Sequence, residues 1–207
     1  MKRCIVIGSM PVELDLKSFI TPDDLIYCAD GGYLQASKQG IIPHIIVGDF
    51  DSSPFPQNCT AEIVKLPVVK DDTDTYRIAR MIVEQKFTHA LFFGVTGGRF
   101  DHTFANLQML KYLVSEGVQP IIYDKDTTFT AVKNGKVVVE PQQNCYFSVF
   151  SMDEVCTGVC ERGGKYELDD ATITNDFPIG VSNEFRDKPV EISVEKGTLL
   201  IIVSRKD

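Results

Sequence analysis

Residues 90–124 read ALFFGVTGGRFDHTFANLQMLKYLVSEGVQPIIYD, and this stretch decides the fold. Residues 90–94 are an apolar run of strand length ending at Gly94, and residues 119–123 are a second. Between them residues 102–115 carry Phe104, Leu107, Leu110 and Val114 on one helical stripe, and Gly117 stops the run. Strand, glycine-rich loop, helix and strand in this order are the signature of an α/β fold.

The same alternation extends toward the start of the chain. Residues 3–8, 25–29, 45–48 and 62–66 are strand candidates, most of them apolar enough to be buried on both faces. A short helix is predicted over 32–39, stopped by Gly40 and Pro43, and a longer one over 73–85 with Tyr76, Ala79, Ile82 and Val83 on one stripe. After Asp124 the texture changes to short β-rich runs with no helical window. Asn134-Gly135 between two alternating runs is a strong hairpin signal and Lys196-Gly197 a weaker one, while residues 199–203 suit a central strand or a subunit contact. The expected architecture is an α/β domain over residues 1–124, a mostly parallel sheet flanked by helices. A second, all-β domain over residues 125–207 is expected to be a sandwich or barrel.

A chain of 207 residues with 43% hydrophobic and 24% charged residues is not a disordered one. At this length roughly 70% of the unfolded surface can be buried without structural metals or disulfides. The net charge of -8 and a pI near 4.9 give no general attraction to phosphate backbones or anionic lipid, so neither nucleic acid nor a membrane is an expected partner. A bound anion would need metal ions or local donors. Six dispersed cysteines without a CxxC pair read as ordinary thiols in a reducing compartment. The opening MKRCIVIGSM has too short an apolar run for a secretory signal or a membrane span, so a cytoplasmic location is expected.

Four polar clusters follow the predicted strands: Asp30-Gly31-Gly32, Gly48-Asp49-Phe50-Asp51-Ser52, Lys70-Asp71-Asp72-Thr73-Asp74 and Gly97-Gly98-Arg99-Phe100-Asp101-His102. In an open parallel sheet the carboxyl ends of the strands are where ligands bind. Asp49 and Asp51 stand two apart in a segment read as extended, so both point the same way, with Phe50 opposite, and can share one divalent cation, Mg2+ being favoured; the alternative is a turn with an Asx bond and a helix cap. Asp71 and Asp72 suit helix capping. Asp74, in the first helical turn, can complete a metal site, and Lys70 is either a phosphate contact or a solvated surface residue. Gly97 and Gly98 allow close backbone approach, Arg99 can grip phosphate with two parallel bonds, and His102 can orient a phosphate or Asp101. Asp101 as a plain helix cap is the competing reading, and neither a Walker A nor a dinucleotide fingerprint is present. Four such clusters on one sheet edge point to metal-assisted phosphoryl chemistry.

ADGG, VGDFDS, KDDTDT, TGGRFDHTFANLQML and GVSNEF stand in the order and approximate spacing of the thiamine pyrophosphokinase family, which the chain resembles over nearly its whole length. The resemblance implies transfer of the terminal diphosphate of ATP to thiamine, giving thiamine diphosphate and AMP, with Mg2+. It also implies a homodimer with shared active sites. Asp49, Asp51 and Asp74 resemble the family's metal and catalytic acids, with Asp101 in the same group. Thr73 and Arg99 match triphosphate-contacting positions, flanked by Gly31, Gly32, Gly97, Gly98 and His102. Asp30 matches an acidic position near substrate, and Ser182 and Asn183 match the segment at the thiamine end. The chain departs from some members in having no tryptophan, so an indole used there for stacking must be replaced; Phe185, Phe177 and Tyr166 are candidates, with core packing the alternative for each. Of the acids, Asp51 and Asp74 are the alternatives for accepting the hydroxyl proton.

Two rival readings share these motifs. A diphosphokinase acting on another alcohol, such as a pterin, would need the same metal and ATP machinery. A non-catalytic regulatory protein that binds nucleotide or thiamine would have no need of the full acidic set.

Overall fold

The computed structural model describes residues 2–51, 53–57, 59–67 and 71–206. Ser52 and Lys70, both within the polar clusters, lie outside the described residues. The chain divides into two compact units, one running to Met109 and including Glu116–Lys125, the other made of Leu110–Ser115 and the chain from Asp126 onward.

The first unit is built on six parallel strands, β1 (Arg3–Ile7), β2 (Leu25–Ala29), β3 (Ile45–Gly48), β4 (Glu62–Lys65), β5 (His89–Phe93) and β6 (Gln119–Tyr123), in the spatial order β6-β5-β1-β2-β3-β4. Chain order reverses at β1, which lies between β5 and β2, and such a switch point opens a crevice at the carboxyl ends of the strands. β1, β2 and β5 are buried at four of their five positions, as the apolar runs require, whereas β4 at the sheet edge has no buried residue. Helices α1 (Gly32–Lys38), α2 (Asp74–Glu84) and α3 (Phe100–Ser115) follow β2, β4 and β5. One core gathers Ile5, Ile7, Cys28, Ile46, Leu91 and Phe93 with Leu16 and Ala36. Beneath it Arg3 grips the 4%-exposed Asp24 with two bonds, Nε to Oδ1 at 2.8 Å and a terminal nitrogen to Oδ2 at 2.6 Å.

Two helix stripes differ from expectation. α2 buries Ile78, Ala79, Met81 and Ile82. α3 buries Asn106, Met109, Leu110 and Leu113, while Phe104 is 53% exposed, because the wide apolar arc of this helix lets more than one face satisfy the period.

The second unit is a β-sandwich. Strands β7 (Thr127–Lys133), β9 (Cys145–Ser151), β12 (Gly180–Glu184) and β14 (Thr198–Arg205) run in the order β12-β9-β14-β7. Strands β8 (Lys136–Val139), β10 (Val155–Arg162), β11 (Leu168–Thr174) and β13 (Val190–Ser193) form a second sheet in the order β11-β10-β13-β8. Val132, Phe147, Val149, Leu199 and Ile201 from one sheet meet Val159, Ile173, Val190 and Ile192 from the other in a common core. β14 is central, antiparallel to both β7 and β9.

The two expected hairpins are corners instead. Asn134-Gly135 passes the chain from β7 in one sheet to β8 in the other, and Lys196-Gly197 returns it from β13 to β14. The two corners bind each other: the Asn134 amide N–H donates to the Gly197 carbonyl at 3.0 Å and the Gly197 N–H donates to Asn134 Oδ1 at 2.8 Å. Asn134, at φ 45°, supplies the left-handed turn that was read as a hairpin signal, but that turn chemistry is the same whichever sheet receives the next strand.

Candidate active site

The acids converge at the carboxyl edge of the parallel sheet. Oxygens of Asp30, Asp49 and Asp74 lie within 4.8 Å of one another, with Asp30 buried and the other two half-buried. Each comes from a different connection: Asp30 follows β2, Asp49 follows β3, and Asp74 opens α2 after β4. Asp30 takes the left-handed conformation, φ 44°, donates its N–H to Val47 O at 2.8 Å and accepts the Ser53 hydroxyl at 2.7 Å. Backbones crowd closely here: a Cβ on Gly48 would lie 3.0 Å from Asp30 Cα, and one on Gly32 would lie 2.0 Å from the Ile7 carbonyl oxygen.

Asp51 is not part of this group. Phe50 has φ 60°, so the chain bends after Asp49 and the alternation expected of an extended segment is lost. Phe50 packs on the first core and edge-on to Phe55 at 5.0 Å, and burying that ring turns Asp51 outward. The Asp51 N–H donates to Asp49 Oδ1 at 3.2 Å, which is the Asx bond that the sequence offered as the alternative. The metal-type triad is thus Asp30, Asp49 and Asp74, where the sequence reading had grouped Asp49, Asp51 and Asp74 and put Asp30 toward the substrate.

The donor set suits a hard divalent cation. Oxygens bound octahedrally to one Mg2+ at about 2.1 Å lie ~3.0 Å apart in adjacent positions and ~4.2 Å in opposite ones, so three carboxylates already within 4.8 Å of one another need less than ~2 Å of adjustment.

Thr73, not Asp71 or Asp72, caps α2: its hydroxyl oxygen accepts from Tyr76 N–H at 3.1 Å, which leaves the hydroxyl proton able to donate outward. Asp72 instead pairs with Arg80 at 3.2 Å. After β5 the loop turns on Gly97 and Gly98, with φ 86° and 62°. It is braced by three contacts that the sequence reading did not assign. The Gly97 N–H donates to Thr103 Oγ1 at 3.1 Å, buried Asn106 donates to Val95 O at 2.7 Å, and Thr96 donates to Asp124 at 2.7 Å. The signal for Asn106 was an asparagine inside an otherwise apolar helical face.

Arg99 and Asp101, both exposed, form a two-bonded ion pair at 3.2 and 2.5 Å, so Asp101 faces the guanidinium and is not one of the grouped acids. The hydrogen bond from Arg99, helped by the His102 N–H, holds the Asp101 carboxyl below its ordinary range. His102 is exposed beside them, and a Cβ on Gly31 would meet Ser53 at 3.3 Å.

In the β unit Ser182 is exposed with φ 59°, and its N–H donates to Ser148 Oγ at 3.0 Å. Asn183 is 5% exposed and its side chain is fully engaged inside the unit. Glu184 is bonded by Lys165 and, at 2.9 Å, by Lys206, which together pull its carboxyl down to about 2. Of the stacking candidates, Phe185 packs on Phe147 at 5.0 Å against the core, whereas Tyr166 and Phe177 are exposed.

Comparison with known proteins bears on both units. The family described as "Thiamin pyrophosphokinase, catalytic domain" matches residues 16–122, and that described as "Thiamin pyrophosphokinase, vitamin B1 binding domain" matches residues 136–199. Thiamine pyrophosphokinase of Bacillus subtilis (strain 168) is 28% identical over 212 residues, covering 99% of each chain. Thiamin pyrophosphokinase 1 of Caenorhabditis elegans is 30% identical over 152 residues, covering 69% of this chain and 62% of that protein. The crystal structure of the Bacillus subtilis protein superposes with a TM-score of 0.90 at 26% identity, covering 99% of both chains. That of thiamin pyrophosphokinase from Geobacillus thermodenitrificans superposes with 0.86 at 27% identity, covering 100% of this chain and 99% of that one.

Proposed function

Because this chain belongs to the thiamin pyrophosphokinase family, we propose that it transfers the terminal diphosphate of ATP to the hydroxyethyl oxygen of thiamine, releasing AMP. The observation that carries the reading is the convergence of Asp30, Asp49 and Asp74 from three separate loops onto the ligand-binding edge of the sheet.

The chemistry follows from charge. A primary alcohol is a weak nucleophile and the polyphosphate repels electron-rich groups, so the site must neutralise ATP and align the hydroxyl with the β-phosphorus. Asp30, Asp49 and Asp74 would hold Mg2+, which when bound supplies positive charge to the phosphate oxygens. The Thr73 hydroxyl can donate to a phosphate oxygen, and the Arg99 guanidinium, sharing itself between Asp101 and the phosphate, can take up charge as AMP leaves. Asp51 and Asp74 are the alternatives for accepting the hydroxyl proton. The acidic surroundings also suit the cationic thiazolium ring.

A homodimer with shared sites completes this reading. Exposed Phe177, Ile179 and Val181, on and just before the edge strand β12, support a subunit contact in the β unit. Incubating the protein with ATP, Mg2+ and thiamine while following AMP and thiamine diphosphate tests the activity. Turnover only with another alcohol would favour the rival kinase, and binding without either product would favour a regulatory protein. Sedimentation velocity tests the dimer.

A further inference from the structure

Glu161 on β10 is 2% exposed and its Oε1 has no hydrogen-bond partner among the described residues. Its other oxygen accepts from Asn183 Nδ2 at 3.0 Å. Burial pushes the carboxyl's pKa up, and the Asn183 bond only partly offsets that. A buried carboxyl with one oxygen unmatched is a poorer packing unit than an apolar side chain of the same size, so what Glu161 contributes is its one used acceptor.

That acceptor controls an amide on which a whole segment rests. Asn183 Nδ2 also donates to Tyr166 O at 2.6 Å, while Asn183 Oδ1 accepts the N–H groups of Tyr166 at 3.0 Å and Glu184 at 2.8 Å. Turning the amide over would set its two N–H donors against two backbone donors and remove the donor that Glu161 requires. Space is also closed: a Cβ on Gly164 would lie 3.0 Å from Asn183 Nδ2 and 2.7 Å from Phe147 Cζ. The strand is irregular at this point, with its register against β9 shifting between Gly180 and Asn183 and with Ser182 at φ 59° between them. The ladder resumes at Asn183, opposite Phe147, so in the irregular stretch just before it the Asn183 side chain adds the restraint that regular pairing does not supply.

We propose that Glu161 is a positioning residue for thiamine recognition, acting through the Asn183 amide to fix the backbone at Tyr166 and at Ser182 to Glu184. This rests on the reading above, in which Ser182 and Asn183 lie at the thiamine end of the site. Glu161 touches no reacting group in this scheme and acts only through Asn183.

The test is steady-state kinetics of Glu161→Leu, which keeps the volume but removes the acceptor, and of Glu161→Gln, which keeps it. Loss of one buried hydrogen bond worth ~1 kcal/mol corresponds to about a fivefold rise in the KM for thiamine in Glu161→Leu. The KM for ATP and kcat are expected to change less than about twofold, and Glu161→Gln to restore the wild-type KM. An unchanged thiamine KM in folded Glu161→Leu, or an equal rise for ATP, overturns the inference. If Glu161→Leu does not fold, Asn183→Asp decides: it keeps the acceptor for both backbone amides but gives up the donors to Glu161 and to Tyr166 O. Its raised thiamine KM is expected to fall when Glu161→Gln is added, since that side chain can donate back; no recovery overturns the proposal. Wild-type protein that forms no thiamine diphosphate would overturn the functional reading itself, a different failure from a kinase indifferent to Glu161.

Discussion

Replacing Asp30 by Asn takes one charge out of a set of three carboxylates held within 4.8 Å while leaving an oxygen to accept the Ser53 hydroxyl. Two unit charges at that limit repel by about 3.5 kcal/mol at an effective dielectric of about 20 and by about 0.9 kcal/mol at that of water. Asp30 faces two such partners, both half-buried, so solvent screening places the relief near twice the lower figure, about 2 kcal/mol. Without divalent ions, Asp30→Asn is therefore expected to be more stable than the wild type, with a melting temperature about 4–8 °C higher. With Mg2+ the order reverses in response. An ion present at ten times its Kd stabilises the native state by ~1.4 kcal/mol, and a tenfold weaker site reduces this to ~0.4 kcal/mol. Thermal melts with EDTA and across a Mg2+ titration, run beside Asp51→Asn, measure both quantities. A full Mg2+ response in Asp30→Asn together with a lost response in Asp51→Asn would refute the assignment of Asp30, and with it the argument from the bend at Phe50.

Asp24→Asn is expected to cost about 3 kcal/mol in urea unfolding, since it leaves a partly buried guanidinium without its charge partner. Burial raises the Asp24 pKa, but the Arg3 and Thr21 hydrogen bonds outweigh it and leave the folded value below the usual 3.8. Stability from this pair is then complete above about pH 4 and drains away as the solution is acidified through the folded value; the variant should lack that acid-side loss, and an identical pH profile would count against the pair. Arg99→Lys, which trades a planar two-bond grip for a point charge, is expected to raise the KM for ATP about tenfold in steady-state assays. A change confined to thiamine would contradict the role given to Arg99. Asn134→Ala removes the acceptor for the Gly197 N–H and strains a φ of 45°, for an expected loss of about 2 kcal/mol by urea titration, whereas Asn134→Gly should lose about half of that.

The parallel half was legible because each β-branched run ends in the polar loop that the fold needs, so strand ends and acid clusters could be located together in one dimension. Asp49 and Asp74 were placed together on that basis, and the structure brings their carboxylates into one group with Asp30. Asp30 was placed near the site but not among the metal-type acids, because its approach depends on a left-handed residue and on β3 closing against it at Gly48. Neither follows from spacing. Asp51 stands apart from the three grouped acids for the complementary reason: two-residue spacing implies a shared side only while the backbone stays extended, and at Phe50, with φ 60°, it does not. In the β unit the strands themselves were readable, but their assignment to sheets was not, since Asn-Gly records a local dihedral and not the destination of the next strand. The buried bonds of Asn183 were hidden similarly, as an exposed-looking SNE run gives no sign of Glu161 some twenty residues earlier.

The mutual binding of the Asn134 and Gly197 corners has a consequence for biosynthesis. Partners 63 positions apart must meet before either corner is locked, and the strand that leaves the second corner, β14, is the centre of its sheet. A nascent chain emerging from the ribosome has neither the Gly197 end of the clasp nor the strand on which β7 and β9 both pair until residues 197–205 are translated. The parallel strands are all present by Tyr123, so the β unit is the slow partner, open to chaperone capture or to pairing with a neighbouring nascent chain while it waits.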